Sequence, residues 1–240
     1  TQGNAGAYAG KIFGHTGTFI KAGSAALTLS GRNDYRGEVQ INAGMLTIGA
    51  NKTGFHNSVT LANTSGAILN VNGHTVHVKG LTGGGTSGGN VVLGSGKLVT
   101  GYDTTTYAGV ISGSGSLEIK GYKNLTLTGQ STYSGGTTII SGAILIGVNN
   151  ALPTSGAVSF TGTKNYAYLV VKNSFEQTIG NLTGSNSNSI ISTVGTLTVT
   201  QGNAGAYAGK IFGHTGSVLK KAGAATLTIT NEQTYRGQLQ

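Results

Sequence analysis

Apolar residues come in short clusters along the whole chain, and within most clusters they alternate with threonine or another polar residue. Leu27-Thr28-Leu29 and Leu197-Thr198-Val199 are two examples, and Leu46–Ile48, Val59–Leu61, Ile68–Val71, Val76–Val78, Val91–Leu93, Leu117–Ile119, Leu125–Leu127, Ile144–Ile146, Val158–Phe160, Leu169–Val171 and Leu227–Ile229 continue the series. A period of two places every second side chain on one face of an extended strand, so the clusters predict short β-strands with one buried side. Gly or Asn ends nearly every cluster and supplies the corners that β-branched residues resist. Equivalent clusters recur about every twenty residues: Leu27 to Leu46, and Leu125 to Ile144.

Longer repeats lie over this grain. Thr1–Gly17 and Thr200–Gly216 are identical, and Lys21–Gln40 aligns with Lys221–Gln240. Within that unit, Leu27–Gly49 aligns with Leu125–Gly147, and Tyr8-Ala9-Gly10 returns at Tyr107-Ala108-Gly109 and Tyr207-Ala208-Gly209. The organisation expected is a single continuous segment with internal repeats at about 1–99, 100–199 and a partial 200–240. Strands this short bury no core alone, but coils of about twenty residues stacked strand over strand do. The fold class predicted is all-β, a right-handed parallel β-helix (β-solenoid) of roughly twelve coils. A closed barrel accounts less well for the hundred-residue repeat.

Composition narrows the picture. The 240 residues include 43 Gly, one Pro and no Cys or Trp. That density of Gly opposes a helical protein, and a disulfide scaffold or thiolate metal site is excluded. No run of eighteen apolar residues suggests a membrane-spanning helix. Fifteen Lys+Arg against six Asp+Glu give a net charge of +9, but the basic residues are scattered, and no nucleic-acid partner is expected.

The run LTLTGQSTYSGGTTIISGAILIG (Leu125–Gly147), its partner Leu27–Gly49 and the beginning of a third copy at Ala225–Gln240 carry strand, Tyr-x-Gly turn, strand and Gly corner in a fixed order. With Asn149-Asn150-Ala151-Leu152-Pro153 following the middle copy, they resemble the passenger-associated repeat of bacterial autotransporters. The resemblance implies a β-helical passenger carried across the outer membrane by a C-terminal barrel outside this segment. It also implies a place at the cell surface or outside the cell, and commonly a role in adhesion.

Candidate chemistry is sparse. Six tyrosines sit in Tyr-x-Gly (Tyr8, Tyr35, Tyr107, Tyr133, Tyr207, Tyr235); recurrence at equivalent places favours a corner role over a ligand-stacking stripe. The acids Asp34, Glu38, Asp103, Glu118, Glu176 and Glu232 form no evident pair for acid–base work, and Thr132 and Thr234 replace Asp34 in the other copies. His74 and His77, three apart, should point to opposite sides of a strand. Gly83-Gly84-Gly85 and Gly88-Gly89 read as a loop bulging from a coil, with no Lys-Ser/Thr to make a phosphate cradle. The expectation is therefore no catalytic, cofactor-binding or metal-ligating residue, and no cofactor. The function expected is a structural or adhesive stalk of a long exported repeat protein, acting as a stiff multivalent rod or fibre. Its expected partners are further copies end to end, or continuing repeats, and a host or matrix glycan or protein. A glycan-active enzyme on the same scaffold and a toxin-type passenger are the alternatives.

Overall fold

A computed structural model describes residues 4–51, 54–163 and 165–240. The chain is all-β, with no helix among the described residues, and winds as a parallel β-solenoid of about eleven turns. This is close to the roughly twelve coils that the sequence predicts.

Each full turn places strands on three faces. The first face stacks Gly6–Tyr8, Leu27–Leu29, Met45–Ile48, Ile68–Asn70, Asn90–Val92 and Ile111–Ser112 in that order, every pair parallel. It resumes higher up with Glu176–Ile179, Thr196–Thr200, Val218–Ala222 and Gln238–Leu239. The second face runs from Phe13–Gly14 to Leu227–Ile229, and the third from Thr18–Lys21 to Thr234–Tyr235. Ser116–Leu127 and Thr137–Ile146 are long strands that turn the corner and serve both of these faces. Turn length varies: nineteen residues from Leu125 to its partner Ile144, twenty-five from Ile144 to Leu169. Loops at the corners absorb the difference while the rungs stay in register.

The alternation read from the sequence is what fills the interior. Leu46, Leu69 and Val91 stack on the first face, Val76, Leu98 and Leu117 stack on the second and Val59, Leu81 and Leu125 line the third, all fully buried. Their neighbours in the same strands, such as Thr60 and Thr126, point outward, so one residue of slip would turn a core rung inside out.

The Tyr-x-Gly motif has a steric explanation. A Cβ at Gly10, Gly37, Gly109, Gly209 or Gly237 would strike the phenol of the tyrosine two residues earlier. Each ring folds back over its own glycine. Tyr107, Tyr133 and Tyr207 are fully buried, and Tyr133 Oη lies 2.6 Å from Thr137 Oγ1. Tyr107 Oη donates to the Gly89 carbonyl at 2.8 Å. These three are core residues, as the corner reading anticipates.

The first-face ladder is interrupted around residues 131–153, and a side chain repairs it. Buried Gln177 accepts from Leu152 N at 3.0 Å and donates to Leu152 O at 3.0 Å, so its amide stands in for a missing peptide unit. Asn33 and Gln233 occupy equivalent places in two repeats and accept from Ile12 N and Ile211 N. Removing such an amide strands a buried N–H and C=O together. Gln177→Leu is expected to cost about 2–4 kcal/mol, read as a lowered midpoint in urea. An unchanged midpoint would show that water repairs the gap.

The glycine segment at 83–89 differs from the bulging loop expected. It closes on itself through an antiparallel bridge between Gly85 and Gly88 and lies flat on the coil beneath. A Cβ at Gly84 would come within 2.5 Å of Gly109 N, and one at Gly88 would collide with the Thr64 carbonyl. Glycine is required here by backbone packed on backbone.

Candidate functional site: a lateral trough on the second face

Among the described residues, a hollow of about 740 Å³ opens on the second face. Gly54, which has no side chain, is one of the residues that line it. Asp34, Gly54 and His77 share an outward column on successive rungs, by the pairings Asp34↔Gly54 and His77↔Gly54. Gly54 has no side chain there, and among the described residues a Cβ built on it meets the His56 ring, at 3.7 Å. Arg32, Asp34 and Arg36 from one coil, Asn51 and His56 from the next, and Thr75 and His77 from the third form the walls. A smaller hollow of about 370 Å³ adjoins it, sharing His56 and His77 and adding Phe55, Val78, Lys79 and Tyr102. Tyr102 is an exposed aromatic, 42% accessible.

The electrostatics favour donors. Asp34 is engaged by His56 Nε2. Deeper along the same side, Asp103 takes Lys79 Nζ at 3.2 Å and the Ser58 hydroxyl at 2.8 Å, and Glu118 takes Lys97 Nζ at 2.8 Å. Arg32 and Arg36 make no ion pair among the described residues. His77 is held below the ordinary histidine value first by burial, with Glu118 opposing and Lys120, His56 and Lys97 reinforcing. At neutral pH its imidazole is therefore uncharged and offers one donor and one acceptor. The wall residues supply two guanidinium forks, imidazoles, an amide and a hydroxyl, a set suited to the hydroxyl and carboxylate oxygens of a bound ligand. One carboxyl, Asp34, lines the larger hollow. The paired carboxylates of glycoside hydrolysis are not assembled there.

Other residues singled out by sequence lie apart. His74 is not on the strand with His77. It precedes Thr75–Val78 in a turn and bonds Asn51 Oδ1 through Nδ1 at 3.1 Å, so the expectation of opposite strand faces does not apply. No group of three or more His, Asp or Glu placed to hold a metal occurs among the described residues. The trough itself escaped sequence reasoning. Its signal was the spacing from His56 to His77, one coil length, with Gly54 between Asp34 and His77.

The passenger-associated-transport-repeat family matches at residues 19–48, 120–146 and 219–240. These contain or overlap the three repeats recognised above. This chain carries passenger-associated transport repeats. It is also similar to the adhesin BmaC autotransporter of Brucella suis biovar 1 (strain 1330), 37% identical over 159 residues. That alignment covers 65% of this chain and 4% of the relative. No solved structure matches. Both findings support the autotransporter passenger that the repeats resemble.

Proposed function

We propose that this chain is a stalk segment of a bacterial surface adhesin, a stiff rod outside the cell whose lateral trough holds an acidic saccharide. The observation that carries the rod is the uninterrupted interior: about eleven turns share one column of apolar side chains. Rungs at roughly 4.8 Å make the segment on the order of 50 Å long. The similarity to an adhesin supports the surface role. In this reading neighbouring repeats continue the coils in register, and stability accrues from each added interface.

The saccharide follows from the trough. Arg32 and Arg36 suit a carboxylate, the imidazoles and Thr75 suit hydroxyls, and Tyr102 offers a ring face. Each contact is solvent-exposed, so single-site affinity is weak and avidity along a repeated rod supplies the hold. Gly54 is in an extended strand on the wall of the hollow, so a leucine there is expected to occupy part of it. Titration with uronic- and sialic-acid oligosaccharides should show binding by the parent chain, lost in Gly54→Leu at unchanged stability. Equal binding by both proteins, or by neither, overturns the trough. Electron micrographs showing anything other than a straight particle overturn the rod.

A further inference from the structure

The outward side of the third face changes character part-way along the solenoid. At first its central column is polar: Gln40, Thr60 and Thr82 stack in register, followed by Thr106 and Thr126. The next rungs put Leu145, Val170 and Phe212 in that column, with Ser192 between the last two. The adjoining column holds Tyr168 and Ile190. All five apolar side chains are only half-buried. Tyr166 and Val194, at the ends of these strands, are 61% and 43% exposed, and the Tyr166 ring stacks on that of Tyr168 with centroids 6.1 Å apart. In Ala167–Val171 the inward Ala167, Leu169 and Val171 alternate with Tyr168 and Val170, so the strand is apolar on both sides. That is the composition of a parallel strand covered on both faces. Threonine, which serves the rungs below, is the choice for a face left to water.

The charge around this strip has one sign. The third-face strands Thr137–Ile146, Ala167–Val171, Ser189–Thr193 and Lys210–Gly213 contain no acidic residue. Lys210 stacks beside Ile190, Lys172 follows Val171, and Arg236 follows Thr234–Tyr235 on the next rung. None of these three cations makes an ion pair among the described residues. Four rungs at roughly 4.8 Å, each with about 13 Å of strand, give an area on the order of 250 Å². A stable dimer buries about 800 Å² on each partner, and a second copy laid across a twofold axis would set these cations against themselves. An apolar strip edged by cations instead complements a surface that is apolar beneath and anionic above, which is a bilayer with anionic headgroups. Tyrosine suits its boundary, with an apolar ring and a hydroxyl that stays wet.

We propose that this part of the third face docks on an anionic lipid surface, with Leu145, Val170, Ile190 and Phe212 toward the acyl boundary and Lys172, Lys210 and Arg236 on the headgroup phosphates. It lies on other coils and another face than the trough and does not rest on the saccharide reading. Flotation of the whole chain with vesicles tests it. The parent should float with vesicles of mixed phosphatidylglycerol and phosphatidylcholine and not with pure phosphatidylcholine. Val170→Thr with Ile190→Thr, which restores the residue of the lower rungs, should weaken partitioning roughly tenfold or more. Lys172→Gln with Lys210→Gln should weaken it about fivefold for each lysine. Tyr166→Ser should weaken it as well, and replaces the strand variant if that one lowers the urea midpoint. Equal flotation with neutral vesicles, or no flotation of the parent, overturns the proposal. So does binding to mixed vesicles that neither apolar variant changes, the result expected of diffuse attraction by a net charge of +9. A parent chain that dimerises in light scattering and becomes monomeric in Val170→Thr with Ile190→Thr also overturns it, since the strip then belongs to a second copy.

Discussion

Gly83→Ala is expected to destabilise the chain by about 2–4 kcal/mol, while Gly66→Ala costs about 1 kcal/mol. The two glycines have the same backbone angle, φ of 80°. Both substitutions therefore carry the penalty of a left-handed alanine, about 1–2 kcal/mol, partly offset by the stiffer unfolded chain. They differ in what the new methyl meets. At Gly66 there is nothing within 4 Å; at Gly83 the Cβ would sit inside the Leu61 carbonyl of the coil below. Neither atom is the end of a flexible side chain, so relief requires one coil to lift off the next. Overpacking of this kind adds about 1–3 kcal/mol, and separation of one interface weakens both halves of a solenoid. Urea denaturation of the two variants beside the parent chain gives the comparison. Equal losses would mean that the coils yield more readily than their stacked backbone implies.

Much of this architecture was legible because the same short pattern repeats. Each cluster from Leu27–Leu29 to Leu227–Ile229 coincides with or overlaps a strand, since inward apolar and outward threonine leave one buried face to choose. The strands that escaped include short ones on the second face, such as Phe13–Gly14, Asp34–Tyr35 and Gly54–Phe55, where glycine and a lone aromatic replace the alternation, and longer ones such as Thr18–Lys21 and Ser189–Thr193. The trough lies among the short second-face strands. A lateral hollow depends on which residues of different coils share a column, and that register is fixed only when every corner loop has a length. Nineteen- and twenty-five-residue turns side by side defeat an average period.

Stability is expected to fall steeply above pH 10, by about 4 kcal/mol per pH unit, because three tyrosines are sealed in the core. Burial pushes the phenols of Tyr107, Tyr133 and Tyr207 far above the ordinary value of 10.0, and hydrogen bonds only partly oppose it. In the unfolded chain they ionise near pH 10. Above that pH the unfolded state has lost protons that the folded state still holds, so unfolding gains about 1.4 kcal/mol per unit from each ring. The contribution is fully present below pH 10 and disappears as pH rises toward the folded values. A Tyr107→Phe, Tyr133→Phe, Tyr207→Phe triple variant separates this effect from the lysines, which titrate in a similar range. At pH 8 it should be less stable than the parent, by about 1 kcal/mol for each lost hydrogen bond. At pH 11 the order should reverse, since the variant has no phenol to ionise. Denaturant midpoints at both pH values test the reversal, and parallel curves for the two proteins would mean that these hydroxyls reach water in the folded state.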